Sequence, residues 1–214
     1  MTNRRACNVL IVDDNPKNLV AMDSILSALP NIGLIHANCG EEALQLVLKE
    51  RFALMLLDVN MPGMDGYEVA KLVSGNPSTK YLPIVMVTAL GHSQTELLKA
   101  YQAGAVDYLI KPLQTEILLS KVKQFVELFN AYEKASQSLL AVASLRKENE
   151  IILNAAGEGI VKLNQLGVIE YANVKALNIL EQENPSTLLQ TGFNQWFRQD
   201  NNTDFFSSMY EKLQ

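Results

Sequence analysis

A doubly wound α/β domain built on a parallel sheet is the fold class predicted for the first part of this chain, on three observations. Short apolar runs at 8–12, 33–37, 53–57, 84–87 and 107–110 alternate with segments of helical apolar spacing. Most of these runs lack polar alternation, as strands buried on both faces do. Four of them stop at polar residues: Asp13 and Asp14 after NVLIV, Asp58 after FALMLL, Thr88 after PIVMV, and Lys111 after DYLI. In an open parallel sheet, ligands gather in the crevice outside the carboxyl ends of the strands. Carboxylates, a hydroxyl and an ammonium delivered to that edge therefore point to a single site. Clustered carboxylates invite a hard cation, and a hydroxyl with a lysine suits a phosphoryl group.

The elements follow in order. Asn15-Pro16 opens the first helix, with proline in the first turn and Leu19, Met22, Ile25, Leu26 and Leu29 as its apolar face. Residues 33–37 make the second strand. Gly40-Glu41-Glu42 starts a helix expected to pack through Ala43, Leu44, Val47 and Leu48. The third strand, 53–57, leads into a loop with Pro62, Gly63 and Gly66, then a helix over about 67–73. A polar turn, Gly75-Asn76-Pro77-Ser78, precedes the fourth strand. The helix 94–102 stops at Gly104, a common helix terminator, and Pro112 follows the fifth strand and Lys111. Right-handed crossovers place helices on both faces, giving a flavodoxin-like domain.

From Gln114 to about Ile152 no glycine or proline interrupts a helical pattern. Leu118, Val122, Phe125, Phe129 and Tyr132 alternate spacings of four and three, a coiled-coil seam. The seam weakens through Ser136 and Leu139 and resumes at Val142, Leu145, Asn149 and Ile152 after a stammer-like phase shift. Two readings stand: a helix that packs on its own sheet and then frays, or a parallel homodimer through 114–152 with Asn149 paired to its copy. The narrow stripe favours the dimer. After Asn154 a turn with Gly157 and Gly159, a hairpin over 160–163 and 168–172, and a helical piece over 174–180 begin an α+β domain with too few strands to complete it.

A chain of 214 residues has room for two modules, and 48% hydrophobic with 19% charged residues is a globular composition. The net charge of −5 argues against a nucleic-acid surface, and Arg4 and Arg5 are too few to reverse that. Two readings stand for Cys7 and Cys39, a disulfide or two small reduced thiols, and the second is favoured. No run is long and apolar enough to span a bilayer, and Asp13 cuts short the first apolar run, so neither a membrane span nor a leader is expected. The expected location is cytoplasmic.

Four blocks carry a resemblance: LIVDDN, LLDVNMPGMDG, VMVTAL and AGAVDYLIKP. Together they make residues 8–129 similar to the receiver domain of two-component response regulators. The resemblance implies the strand order 2-1-3-4-5. It implies Asp58 as phosphoacceptor toward a sensor histidine kinase, and Mg2+ held by Asp13, Asp14, Asp58 and the backbone carbonyl of Asn60. It further implies Lys111 pairing with Asp58 and then with a phosphoryl oxygen, Thr88 and Tyr108 as a switch pair, and Asn60 and Leu90 as tuners of phosphate lifetime. Residues from about 148, ENEIILNAAGEGIVKLNQLGVIEYANVKALNIL, resemble the start of a PAS sensory domain. The expected organisation is a receiver over 1–129, a helical linker over 130–150, and part of a PAS-like domain over 151–214. The chain then reads as a piece of a longer, non-enzymatic regulator whose output, such as a diguanylate cyclase, lies further on.

Plainer readings stand beside these. Asp58 alone caps a loop, Asp14 complements a helix dipole, and Tyr108 is a half-buried strand aromatic. Sequence alone favours a trans Lys111–Pro112 bond, whereas the resemblance implies cis. His36 and His92 lie on no kinase-like helix. The PAS-like part has neither His nor Cys, which opposes histidine-ligated haem or a cysteinyl flavin there. Phe193, Trp196 and Phe197 read as core. Two rivals remain: a haloacid-dehalogenase-like phosphatase, whose Asp-x-Asp differs from Asp13-Asp14-Asn15, and a pseudo-receiver scaffold without phosphoryl transfer.

Overall fold

The computed structural model describes residues 7–89, 94–182 and 184–192. They fall into two compact units, Met1–Ser136 and Gln137–Gln214. In the first unit β1 (Cys7–Val12), β2 (Ile32–Ala37), β3 (Leu54–Asp58), β4 (Ile84–Thr88) and β5 (Asp107–Ile110) form one parallel sheet in the order β2-β1-β3-β4-β5. Between them run α1 (Pro16–Leu26), α2 (Gly40–Lys49), α3 (Gly66–Gly75) and α4 (Gln94–Gln102), and α5 (Thr115–Ala155) follows β5.

The side-chain period of two divides the strands between two cores. Leu10, Val12, Met55, Leu57, Ile84 and Met86 meet Ala43 and Val47 of α2 and Val69 and Val73 of α3. Val9, Ile11, Leu54, Leu56, Val85 and Leu109 meet Leu19, Met22 and Leu26 of α1 and Leu118 and Val122 of α5. Each fully buried Leu or Ile contributes about 2 kcal/mol. This two-sided burial is why the strands read as unbroken apolar runs. Leu48 of α2 is corrected from the sequence reading: it is 64% exposed. The inward face of α2 runs through Gly40, Ala43 and Val47, with Leu44 and Leu46 flanking it, and Leu48 lies about 100° further round.

Local chemistry sets the helix starts. The Asn15 side chain accepts from the Lys17 amide at 3.0 Å, with Pro16 at the first helical position. Asp65 accepts from the Glu68 amide at 2.8 Å while Glu68 reaches back to the Asp65 amide, a capping box that fixes where α3 begins. β3 and β4 each run one residue further than expected, so Asp58 and Thr88 belong to the ladder itself.

α5 is 41 residues long. Leu118 and Val122 are buried and Phe125 is half-buried, whereas Tyr132, Leu139, Val142, Leu145 and Ile152 are exposed. Among the described residues, no helix is long and apolar enough to cross a membrane. Arg51, ahead of β3, pairs with Glu133 at 2.7 Å and lies over the Phe129 ring.

In the second unit β6 (Val161–Leu163) and β7 (Ile169–Ala172) pair antiparallel, and α6 (Val174–Ile179) and α7 (Pro185–Leu188) follow. Ile169, Leu177 and Leu188 form a small core. The buried Asn173 side chain organises it. Its oxygen accepts from Ile160 and Ala176 amides at 2.8 and 2.9 Å, and its nitrogen donates to the Leu153 and Glu158 carbonyls at 2.7 and 2.9 Å.

Candidate functional site

Asp13, Asp58 and Lys111 share a strand parity. Asp13 continues Val9 and Ile11, Asp58 continues Leu54 and Leu56, and Lys111 continues Leu109, so all three lie toward the α1 and α5 side of the carboxyl edge. The Asp13 amide bonds to the Ala37 carbonyl at 3.2 Å and the Lys111 amide to the Thr88 carbonyl at 2.7 Å, which extends the ladder into the site. From β5 the long lysine side chain crosses β4. Its Nζ donates to Asp58 Oδ1 at 2.5 Å and to Asp13 Oδ2 at 2.8 Å. Asp58 Oδ2 accepts from the Asn60 amide at 3.0 Å.

The electrostatics are unbalanced. Asp13 is 0% and Asp58 5% exposed, and one ammonium serves both. Burial holds the Asp58 carboxyl above its ordinary value of 3.8, and the nearby Asp13 charge adds to this. The hydrogen bond and charge of Lys111 and the Asn60 amide offset it only in part. Burial alone would lower the Lys111 ammonium, but its hydrogen bonds to Asp13 and Asp58 outweigh that and leave it raised. A buried carboxylate next to another, sharing one cation, is the kind of perturbed group that marks a reactive site.

The model of the response regulator receiver domain matches residues 9–123. The chain belongs to the response regulator receiver family. A probable cyclic di-GMP phosphodiesterase of Vibrio cholerae is 33% identical over 158 residues, covering 74% of this chain and 34% of that protein. The chain thus spans about a third of that relative's length. The chemotaxis protein CheY of Pseudomonas aeruginosa is 31% identical over 122 residues, covering 57% of this chain and 98% of CheY. Among solved structures, Vibrio cholerae CheY4 superposes with a TM-score of 0.52 at 32% identity, covering 56% of this chain and 98% of that one. Membership of the receiver family does not favour the haloacid-dehalogenase reading.

The receiver's loop after β3 is tightly closed. The Gly66 amide bonds to the Val59 carbonyl at 3.0 Å, and a Cβ on Gly66 would stand 2.3 Å from the Asp58 carbonyl oxygen and 2.9 Å from Val59 Cα. No side chain fits there, so the start of α3 presses directly on the strand that carries Asp58. Gly63 takes φ +81°, which turns the loop. The Lys111–Pro112 bond is cis, as the resemblance implies.

The remaining expected residues are placed as follows. Thr88 ends β4 half-buried, and Asn60 is exposed beside Asp58. Asp14 is exposed at the foot of α1, ahead of its Asn15 cap. Tyr108 is half-buried and packs with the α2–α3 core. Leu90, His92, Phe193, Trp196 and Phe197 lie outside the described residues. His36 is on the edge strand β2, 3.0 Å from Asp23.

One contributor was not anticipated from sequence. The Asn18 side-chain nitrogen donates to Asp13 Oδ1 at 2.9 Å and to Oδ2 at 3.0 Å. The available signal was a polar residue one turn before Met22, on the inward face of α1.

Among the described residues, no three His, Cys, Asp or Glu side chains are gathered as a ready-made metal cage. Mg2+ does not need one, since it keeps several waters and takes one or two carboxylates. Asp13 and Asp58 already direct oxygens at a single ammonium, so their donor set fits a small hard cation.

Proposed function

We propose that this receiver is a two-component response regulator that accepts a phosphoryl group on Asp58 from a sensor histidine kinase. An Asp58 carboxylate oxygen bonds to phosphorus while the phosphorus–nitrogen bond of the donor phosphohistidine breaks, its electron pair leaving with the imidazole. Hydrolysis reverses the attachment: a water oxygen bonds to phosphorus and Asp58 departs as carboxylate. Asp13, Asp14, Asp58 and the Asn60 carbonyl would hold Mg2+, which would supply charge neutralisation at the phosphoryl oxygens. Lys111, already on Asp58, transfers its hydrogen bond to a phosphoryl oxygen, and the Thr88 hydroxyl donates to another. Tyr108 then moves into the space Thr88 leaves. Asn60, exposed beside Asp58, tunes the lifetime of the acyl phosphate, a role the resemblance also implies for Leu90.

The downstream half of the reading rests on α5. The change at the acidic edge passes along the helix to the unit beyond it, read as PAS-like from the Asn164–Gly167 turn, the β6–β7 hairpin and Asn173. From there it passes to an output module. The protein itself is a regulatory phosphoacceptor rather than an enzyme. The exposed seam residues Leu139, Val142, Leu145 and Ile152 are covered by a second copy in a parallel pair.

The observation that carries the proposal is the Lys111 ammonium shared by the buried Asp13 and Asp58 carboxylates. Labelling with a small phosphodonor and Mg2+ tests it. Asp58→Asn is expected to abolish the label, and undiminished label removes Asp58 from the role. Light scattering tests the pairing: Val142→Glu with Leu145→Glu is expected to give monomers, and an intact dimer refutes the seam.

A further inference from the structure

We infer that Asn18 is the positioning residue that keeps Asp13 oriented toward the bound cation. The inference rests on the phosphoacceptor reading above. The Asp13 carboxylate is fully buried and has three donors: the Asn15 amide at 2.9 Å, Asn18 Nδ2 on both oxygens, and Lys111 Nζ at 2.8 Å. Lys111 is shared with Asp58, so of the three donors it is the one that also serves the reacting carboxylate.

The other two donors differ. The Asn15 amide is fixed by the turn into α1 and touches Oδ1 alone. Asn18 spans both oxygens and so fixes the plane of the carboxylate as well as its position. An amide does this without positive charge. Lysine or arginine in its place would hold Asp13 more strongly but would repel a divalent cation beside it. Asparagine is also a modest helix former, so its presence inside α1, facing inward, is not explained by helix propensity. Partners that orient a ligating side chain typically change metal affinity about tenfold or more when removed.

Isothermal titration of Mg2+ into the unphosphorylated full chain tests this without any turnover. Asn18→Ala, which favours the helix, and the near-isosteric Asn18→Leu, which has no donor, are each expected to weaken Mg2+ binding about tenfold. In an Asp13→Asn background, Asn18→Ala is expected to have little further effect, because the two act as one unit. Unchanged affinity in both single variants, with normal binding by the unaltered chain, overturns the role of Asn18 alone. The same tenfold loss in the Asp13→Asn background also overturns it, because Asn18 then acts through something else. An unaltered chain that binds no Mg2+ overturns the phosphoacceptor reading and this inference together.

Discussion

The chain buries polar side chains in two contrasting ways. At the carboxyl edge of the sheet, two buried carboxylates share one ammonium, and burial holds Asp58 above the ordinary carboxylate range. In the second unit Asn173 is equally buried but neutral, and each of its four hydrogen-bonding positions has a backbone partner. A neutral group with all its partners fixes a structure. A charged cluster with one cation for two carboxylates keeps an uncompensated charge, which is the mark of a reactive site.

Lys111→Met should separate these two cases most sharply. Removing the shared ammonium leaves two buried carboxylates uncompensated and should destabilise the protein by about 3 kcal/mol at neutral pH, read by urea unfolding. The loss should shrink as acidification lets Asp58 take up a proton. In the unaltered chain the Lys111 contribution, fully present below 10.5, should fade as pH rises through its higher folded value. A variant as stable as its parent would show that the edge is not charge-strained.

Asn173→Ala should come next, at about 2 kcal/mol, since it strands two amides and two carbonyls. Hydrogen exchange should accelerate in β6, β7 and α6 and stay unchanged in β1 and β3. Exchange that rises equally in both units would deny Asn173 its local role.

Asp58→Asn should have the smallest effect and the opposite sign. The Asp58 carboxyl is raised in the folded state, so it supports folding below 3.8 and loses that support as pH rises through its folded value. Asparagine removes this penalty, and a gain of about 1 kcal/mol is expected at neutral pH, disappearing in acid. Thermal unfolding at two pH values measures it. A loss of stability at neutral pH would contradict the burial argument.

The parallel sheet was legible because its strands are buried on both faces and therefore read as apolar runs. The acidic edge was legible because Asp13, Asp58, Thr88 and Lys111 interrupt those runs abruptly. Asn18 escaped notice because one polar residue on an apolar helix face has no partner until α1 is docked beside Asp13. Leu48 misled because two leucines four apart suggest one face, whereas the face is set by Ala43 and Val47. Asn173 could be read as a helix cap, but its links to Leu153, Glu158 and Ile160 exist only once the chain has folded back on itself. The α5 stripe showed its period but not what covers it: Leu118 is buried and Leu145 is not, on the same helix and with the same spacing.

The closure at Gly66 confines change in the neighbouring loop. Even a methyl group at that position collides with the backbone of the reactive strand, so drift there is blocked at the first atom. Asn60, exposed a few residues earlier, meets no such obstacle. The loop can therefore vary at Asn60 while the close approach at Gly66 holds the backbone beside Asp58 in one arrangement.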